Sequence, residues 1–239
     1  AVALESGAER VLLFSRRTHL QVIQPYRWLT FRGFLNHLSD LDDEWRWRFM
    51  SHILGLREGF PQQTYDRCAQ YKNFELVAGA PWDNVSVFDE QVKISTPIGD
   101  YVADFVISGT GVEMDFSVRP ELQRFATNIA TWAECYTPPE DEQNERLGRF
   151  PYLNSDFAFV EKMPGTSPWI KNIHLFAIAS TMSFGPSGSS INAMTTVVPK
   201  LVSALTKGLF QADVAAHWQS LQSYDVPQAI IENSTRDDS

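Results

Sequence analysis

The spacing of apolar residues changes character several times along the chain. Val2 to Ser6 has the residues of a short helix with Gly7 as its stop, and Arg10-Val-Leu-Leu-Phe-Ser-Arg-Arg17 then holds an unbroken apolar run between charges. Such a run after a helix stop predicts a strand buried on both faces, as in a parallel sheet. Helix, glycine, strand and charged strand end together form the second half of a βαβ unit. Over 20–72 the pattern turns helical and irregular, with Tyr26, Trp28, Phe31, Phe34, Trp45, Trp47 and Phe49 along it. Asp42 or Asp43 is placed to cap a helix reaching about Leu56, with Trp45, Phe49, Ile53 and Leu56 on one face. The aromatics read either as core or as a ligand box.

From Asn73 the period shortens. Phe74–Val77, Val85–Val87, Val92–Ser95 and Tyr101–Ile107 are strand candidates with turn signals at Asp89-Glu90 and Pro97-Ile-Gly99. The last three predict a β-meander whose final strand is apolar enough to be buried on both faces. A helix is expected over 119–135, starting near Pro120 and Glu121. Pro138–Glu145 reads as a solvated acidic loop or a partner-facing surface. Ile173–Ala179 predicts a further strand. The small-residue loop Ser183–Ser190 leads into a helix from about Ile191 to Leu209, and a last helix covers Asp213–Ser223. The expected fold class is therefore α/β.

Composition narrows the class. The 239 residues can bury a full core, and 44% apolar with 21% charged residues is ordinary globular usage. No run approaches the roughly 18 apolar residues a membrane helix needs. Cys68 and Cys135 cannot make a disulfide framework, so a reducing, cytoplasmic setting is the simpler expectation. The net charge of −9 is uneven: residues 1–72 carry ten Lys/Arg against eight Asp/Glu, and residues 73–239 carry ten against twenty-one. That balance argues against a nucleic-acid partner. Yet nine of the ten basic residues in 1–72 are arginine, the side chain suited to bidentate contact with phosphate or carboxylate.

Candidate chemistry follows from these positions. The five histidines are scattered, with no HxxxH or CxxC, so no metal site is expected. There is no GxSxG nucleophile elbow, no P-loop and no complete GxGxxG. Arg16 and Arg17 stand where a dinucleotide-binding strand ends beside the adenosine ribose; arginine there accommodates a 2′-phosphate, and the alternative is a pair that only solvates the strand end. Gly188, Ser189 and Ser190 precede a long helix, where free N–H groups and the helix dipole favour an anion or an electron-rich ring edge, or where a serine simply caps the helix.

The motif Asp104-Phe-Val-Ile-Ser-Gly-Thr-Gly111 resembles the "(D)xVIxATG" strand end of two-dinucleotide-domain flavoproteins, the group of flavin-containing monooxygenases and lysine/ornithine N-hydroxylases. Gly109–Asp115, Arg119-Pro-Glu-Leu122, Tyr152-Leu153 and Phe184-Gly-Pro-Ser-Gly-Ser-Ser190 extend the likeness to a less-studied branch of FAD/NAD(P)-binding oxidoreductases, from Arg16-Arg17 to about Asp225. The resemblance implies FAD and NADPH as cofactors and a hydroxylating monooxygenase reaction on a small molecule. By this likeness Arg16 and Arg17 select NADPH over NADH, Gly109, Thr110 and Gly111 form the turn back into the FAD domain, and Gly188, Ser189 and Ser190 approach the flavin ring. It also implies that Ala1 falls just past the second glycine fingerprint, so that the chain is the carboxy-terminal half of a longer enzyme. On that reading 1–84 is a partial NAD(P)H-binding domain with a helical insertion, 85–107 the β-meander, 108–225 the carboxy-terminal part of the FAD-binding domain and 226–239 a tail. No catalytic residue is implied. The rival readings are an inactive remnant and an interaction module using the 140–145 loop or the aromatic 26–49 region; self-association is open under each.

Overall fold

The computed structural model describes residues 1–112, 114–186, 188 and 190–229. The fold mixes helices with two small sheets. A one-turn helix α1 (Val2–Glu5) stops at Gly7, whose φ of 90° is open to glycine, and leads into β1 (Val11–Ser15). Strand β1 pairs in parallel with β2 (Phe74–Ala78), from Val11 opposite Phe74 to Ser15 opposite Ala78. Helices α2 (Pro25–Trp28), α3 (Arg32–His37), α4 (Asp43–Leu56) and α5 (Gln62–Ala69) fill the crossover between them. The expected meander is present as β3 (Asn84–Phe88), β4 (Gln91–Thr96) and β5 (Gly99–Ala103), antiparallel throughout. Further along come α6 (Trp132–Cys135), α7 (Glu145–Gly148), α8 (Thr181–Phe184), α9 (Ile191–Ala212) and α10 (Val214–Gln222), separated by irregular chain and single 3₁₀ turns. Among the described residues no helix is long and apolar enough to cross a membrane.

The main core is shared by residues 29–53 and 114–197. Asp42 caps α4 by accepting from the Trp45 N–H at 3.0 Å, as the sequence predicts. The buried face is rotated from the expected one, however: Arg46, Trp47, Met50 and Ile53 are inside and Trp45 is half exposed. The cause is a polar cluster. Arg46 forms an ion pair with Asp43, donates to the Tyr152 hydroxyl at 2.9 Å, and lies over the Trp132 ring at 4.9 Å from its centroid. The Tyr152 hydroxyl in turn donates to Asp43 at 3.0 Å. A guanidinium held between two rings and a carboxylate fixes how α4 meets α6. Trp47 donates its indole N–H to the Glu142 carbonyl at 2.9 Å, and Arg48 donates to the Glu142 carboxylate at 2.8 Å. The acidic stretch is therefore not wholly solvated: Glu142 turns in to α4.

Three sequence expectations fail, two to long-range pairing and one for want of a partner among the described residues. No helix spans 119–135. Instead the Asn128 side chain accepts from Met163 N–H at 2.8 Å, and Ile129 and Thr131 form bridges with Glu161 and Pro151. Long-range pairing wins over weak local propensity. Ile173–Ala179 is not a sheet strand; it makes one antiparallel bridge, His174 with Ala158, before a 3₁₀ turn at Ile178–Ser180. Strand β5 ends at Ala103 rather than Ile107, and Phe105 and Ile107 are 91% and 88% exposed instead of buried. No described segment pairs with either.

Arg46→Ala should lower stability in urea unfolding by about 3 kcal/mol, because it leaves Asp43 without its partner; an unchanged midpoint would show the cluster to be passive. Glu161 gives a pH test. Its carboxyl lies below the ordinary 4.5 because the Gly165 and Ser167 N–H groups donate to it, with burial opposing. A depressed folded value stabilises fully above the ordinary one and less as pH falls through the folded value. Glu161→Gln should thus cost stability at about pH 7 and flatten the acid limb towards about pH 3, measured as unfolding midpoint against pH.

Candidate functional site

Arg16 and Arg17 follow directly on β1, at the carboxyl end of the parallel pair. The ladder is extended past the strands by Gly79 N–H donating to the Arg17 carbonyl at 2.8 Å and Ala80 N–H donating to the Ser15 carbonyl at 2.9 Å. The chain then lies along the end of α4. Arg17 Nη2 donates to the Gly55 carbonyl at 3.3 Å and Gln21 Nε2 to the Leu56 carbonyl at 2.7 Å, so both satisfy carbonyls that a helix end leaves unpaired. Arg17 is thus partly engaged, whereas the Arg16 side chain makes no hydrogen bond or ion pair among the described residues.

This arrangement brings in two arginines that the sequence reading missed. Arg57 closes α4, and Arg146 lies in α7. Burial lowers the Arg57 pKa, and the positive charges of Arg146, Arg16 and Arg17 lower it further. Nothing in the local sequence announced the group, because its members are 40 and 89 residues apart. A cleft of about 460 Å³ opens at the same end of the strand pair, lined by Thr18, His19, Phe60, Tyr65, Leu76 and Ala78. The crevice outside the carboxyl ends of parallel strands is where open α/β sheets take ligands. A larger hollow of about 810 Å³ lies in the body between Trp47, Phe116, Ile129 and Tyr136, and holds none of the expected site residues.

Gly109, Thr110 and Gly111 lie in exposed chain, with open space where a side chain on either glycine would point. Gly188 is placed differently. A Cβ there would come within 2.5 Å of the Ala177 backbone, so the loop before α9 needs glycine to close on that segment. The loop is anchored from below. Phe184 stacks on Phe157 at 3.6 Å between centroids, and Ser183 Oγ accepts from the Trp132 indole and the Leu153 N–H, each at 3.3 Å. Ser190 is the N-cap of the 22-residue α9; its side chain makes no capping hydrogen bond, and the Ala193 N–H donates to its carbonyl at 3.1 Å. Ser189 lies outside the described residues. Burial lowers the Lys200 pKa, opposed by Asp40; its ammonium donates to the Asn36 carbonyl and to Ser39 Oγ, clamping α9 to the end of α3.

No known protein family matches the chain. Over 228 residues, 95% of this chain, it is 28% identical to the FAD-dependent urate hydroxylase of Xanthomonas campestris pv. campestris, covering 48% of that protein. A structure of the desferrioxamine-pathway cadaverine monooxygenase of Erwinia amylovora bound to FAD overlays on the whole chain and 51% of its own, with a TM-score of 0.48 and 10% identity. The chain spans about half the length of both. The likeness to flavin monooxygenase-type oxidoreductases read from the motifs is borne out by the sequence relative.

Gly188→Ala should destabilise the chain by about 1–3 kcal/mol through overpacking, seen as a lower thermal midpoint. An unchanged midpoint would mean that the loop does not need this close approach.

Proposed function

We propose that this chain is the carboxy-terminal half of an FAD- and NADPH-dependent hydroxylating monooxygenase. The observation that carries the reading is β1, paired in parallel with β2 on one edge, without a ladder partner on the other among the described residues, and followed by two arginines. In the dinucleotide-binding order 3-2-1-4, β2 and β1 take the third and second places, and the first strand would lie on the free edge of β1. The fourth would follow beyond it. Tyr101–Ile107, which ends in Ser-Gly-Thr-Gly, has the sequence for that place, and without a neighbour its apolar end is left in water.

The residues present fit parts of both cofactors. The arginines around the end of β1 suit the 2′-phosphate of NADPH, while the glycine turn that would hold its pyrophosphate is not in these residues. The start of α9, without a side-chain cap and with its dipole directed at the loop held by Gly188, suits the electron-rich edge of a flavin. Bound flavin would supply the hydride-accepting and oxygen-reacting chemistry. This chain's residues would bind and orient: Arg16 at the ribose phosphate, Gly109–Gly111 at the passage between domains, and Gly188 and Ser190 at the ring. The proposed division is 1–84, 85–107 and 108–225 as above. The relative's name makes urate the first substrate to try. A second reading, a remnant without redox chemistry, is favoured by the lack of both glycine fingerprints in this chain.

The protein encoded by the whole reading frame, purified, should absorb near 450 nm as a flavoprotein does and oxidise NADPH faster than NADH. Arg16→Ala should weaken NADPH by about tenfold or more, as expected for one charge-assisted contact, and leave NADH nearly unchanged. A colourless protein would favour the remnant, and equal losses for both cofactors would remove the Arg16 assignment.

A further inference from the structure

Helix α9 carries apolar residues on two faces, and the described residues cover one of them. Ala193 and Val197 are buried, Leu201 packs against the core, and Lys200 fastens this stretch to the end of α3. Beside that face runs a second row, Ile191, Met194, Val198, Val202, Leu205 and Leu209, spaced 3, 4, 4, 3 and 4 residues apart. Such spacing stays on one side of a helix, here for about 27 Å of its length. Ile191 is 85% exposed, Val202 49% and Leu209 67%. Past Leu201 no residue of α9 belongs to the core, and α10 has no buried residue, although Val214, Trp218 and Leu221 share one of its faces. Over 202–222 the only acidic or basic residues besides His217 are Lys207 and Asp213.

The row itself points to its occupant. Read from either end it runs large, large, valine, valine, large, large. Two copies laid antiparallel match Ile191 with Leu209, Met194 with Leu205 and Val198 with Val202, each pair twice, as a two-fold interface requires. Thr195 and Thr206, on one flank of the row, meet in the same register. The row exposes on the order of 600 Å² per copy, so a pair buries about 1,200 Å², the lower range of specific interfaces. A lipid surface is a poorer match: a helix lying on a membrane sets lysines and arginines beside its apolar side, whereas threonines border this row and Lys200 and Lys207 fall on the other side of α9. We propose that α9 is a dimerisation helix, packed antiparallel against α9 of a second copy of this chain about a two-fold axis between Val198 and Val202. The inference does not depend on the function proposed above. Because Ile191 directly follows Ser190, the same pairing brings the partner's Leu209 to the loop that the proposed function gives to the flavin.

Sedimentation equilibrium of the 239-residue chain should show dimers at about 10 µM. Val198→Glu and Val202→Glu should each weaken association about 100-fold or more, because each sets an unpaired carboxylate against an apolar partner. Ser203→Glu, at an exposed position outside the row, should leave association unchanged. Circular dichroism should show equal helix content in all three variants. Register is read by oxidising a mixture of chains carrying Val198→Cys with chains carrying Val202→Cys; the antiparallel pairing predicts that unlike chains link faster than like ones. A chain still monomeric at about 100 µM, association that Val202→Glu leaves intact, or like chains linking first would each overturn the inference. So would a monomeric protein encoded by the whole reading frame, because the rest of that protein would then cover the row. None of these outcomes bears on cofactor binding.

Discussion

Parallel strands are seldom stable as a pair, because their hydrogen bonds slant, both faces need covering and each edge needs a neighbour. Among the described residues, strand β1 meets that constraint on one side only. The remaining features of the amino-terminal region follow from it. The face of the meander that carries Ile94 and Tyr101 packs toward β1, with Tyr101 edge-on to Phe14 at 4.9 Å, yet Val85 and Val87 on the same face are 46% and 78% exposed. Phe105 and Ile107 continue the uncovered surface. On the proposed function, a further strand beside β1, with chain around it, would cover these positions.

The other half of the molecule has no such deficit. Residues 114–201 close a dense core with α2–α4, organised by Trp47, Trp132 and the Arg46 cluster, and this core holds the loop before α9 in place. Helix α4 belongs to that core, while β1, which Arg16 follows, has a ladder partner on one edge only among the described residues. On the proposed function, binding energy gained at the end of β1 would act on the side of the molecule with the smaller core.

Much of this was legible in the sequence. The α1–Gly7–β1 start, the Asp42 cap, the meander and the two final helices each rest on local signals, and local signals survive folding. The segments that misled were apolar without being strongly periodic. At 119–135 the side chain of Asn128 ties down backbone 35 residues away. At 101–107 the apolar pattern predicted a strand to Ile107, but β5 ends at Ala103 and no described segment pairs with the rest. Among the candidate site residues, Arg16 and Arg17 were expected at a strand end, and they follow directly on β1. The charges of Arg146 and Arg16 on Arg57 could not be foreseen, since only the tertiary fold relates them.

Hydrogen–deuterium exchange, compared between the 239-residue chain and the protein encoded by the whole reading frame, tests the central claim most directly. The account predicts that amides of Val11–Ser15 and of Phe105–Ile107 gain strong protection together in the longer protein, while those around Trp132 and Tyr152 are protected equally in both. Full protection of β1 in the short chain, or none gained at Phe105–Ile107 in the long one, would contradict it.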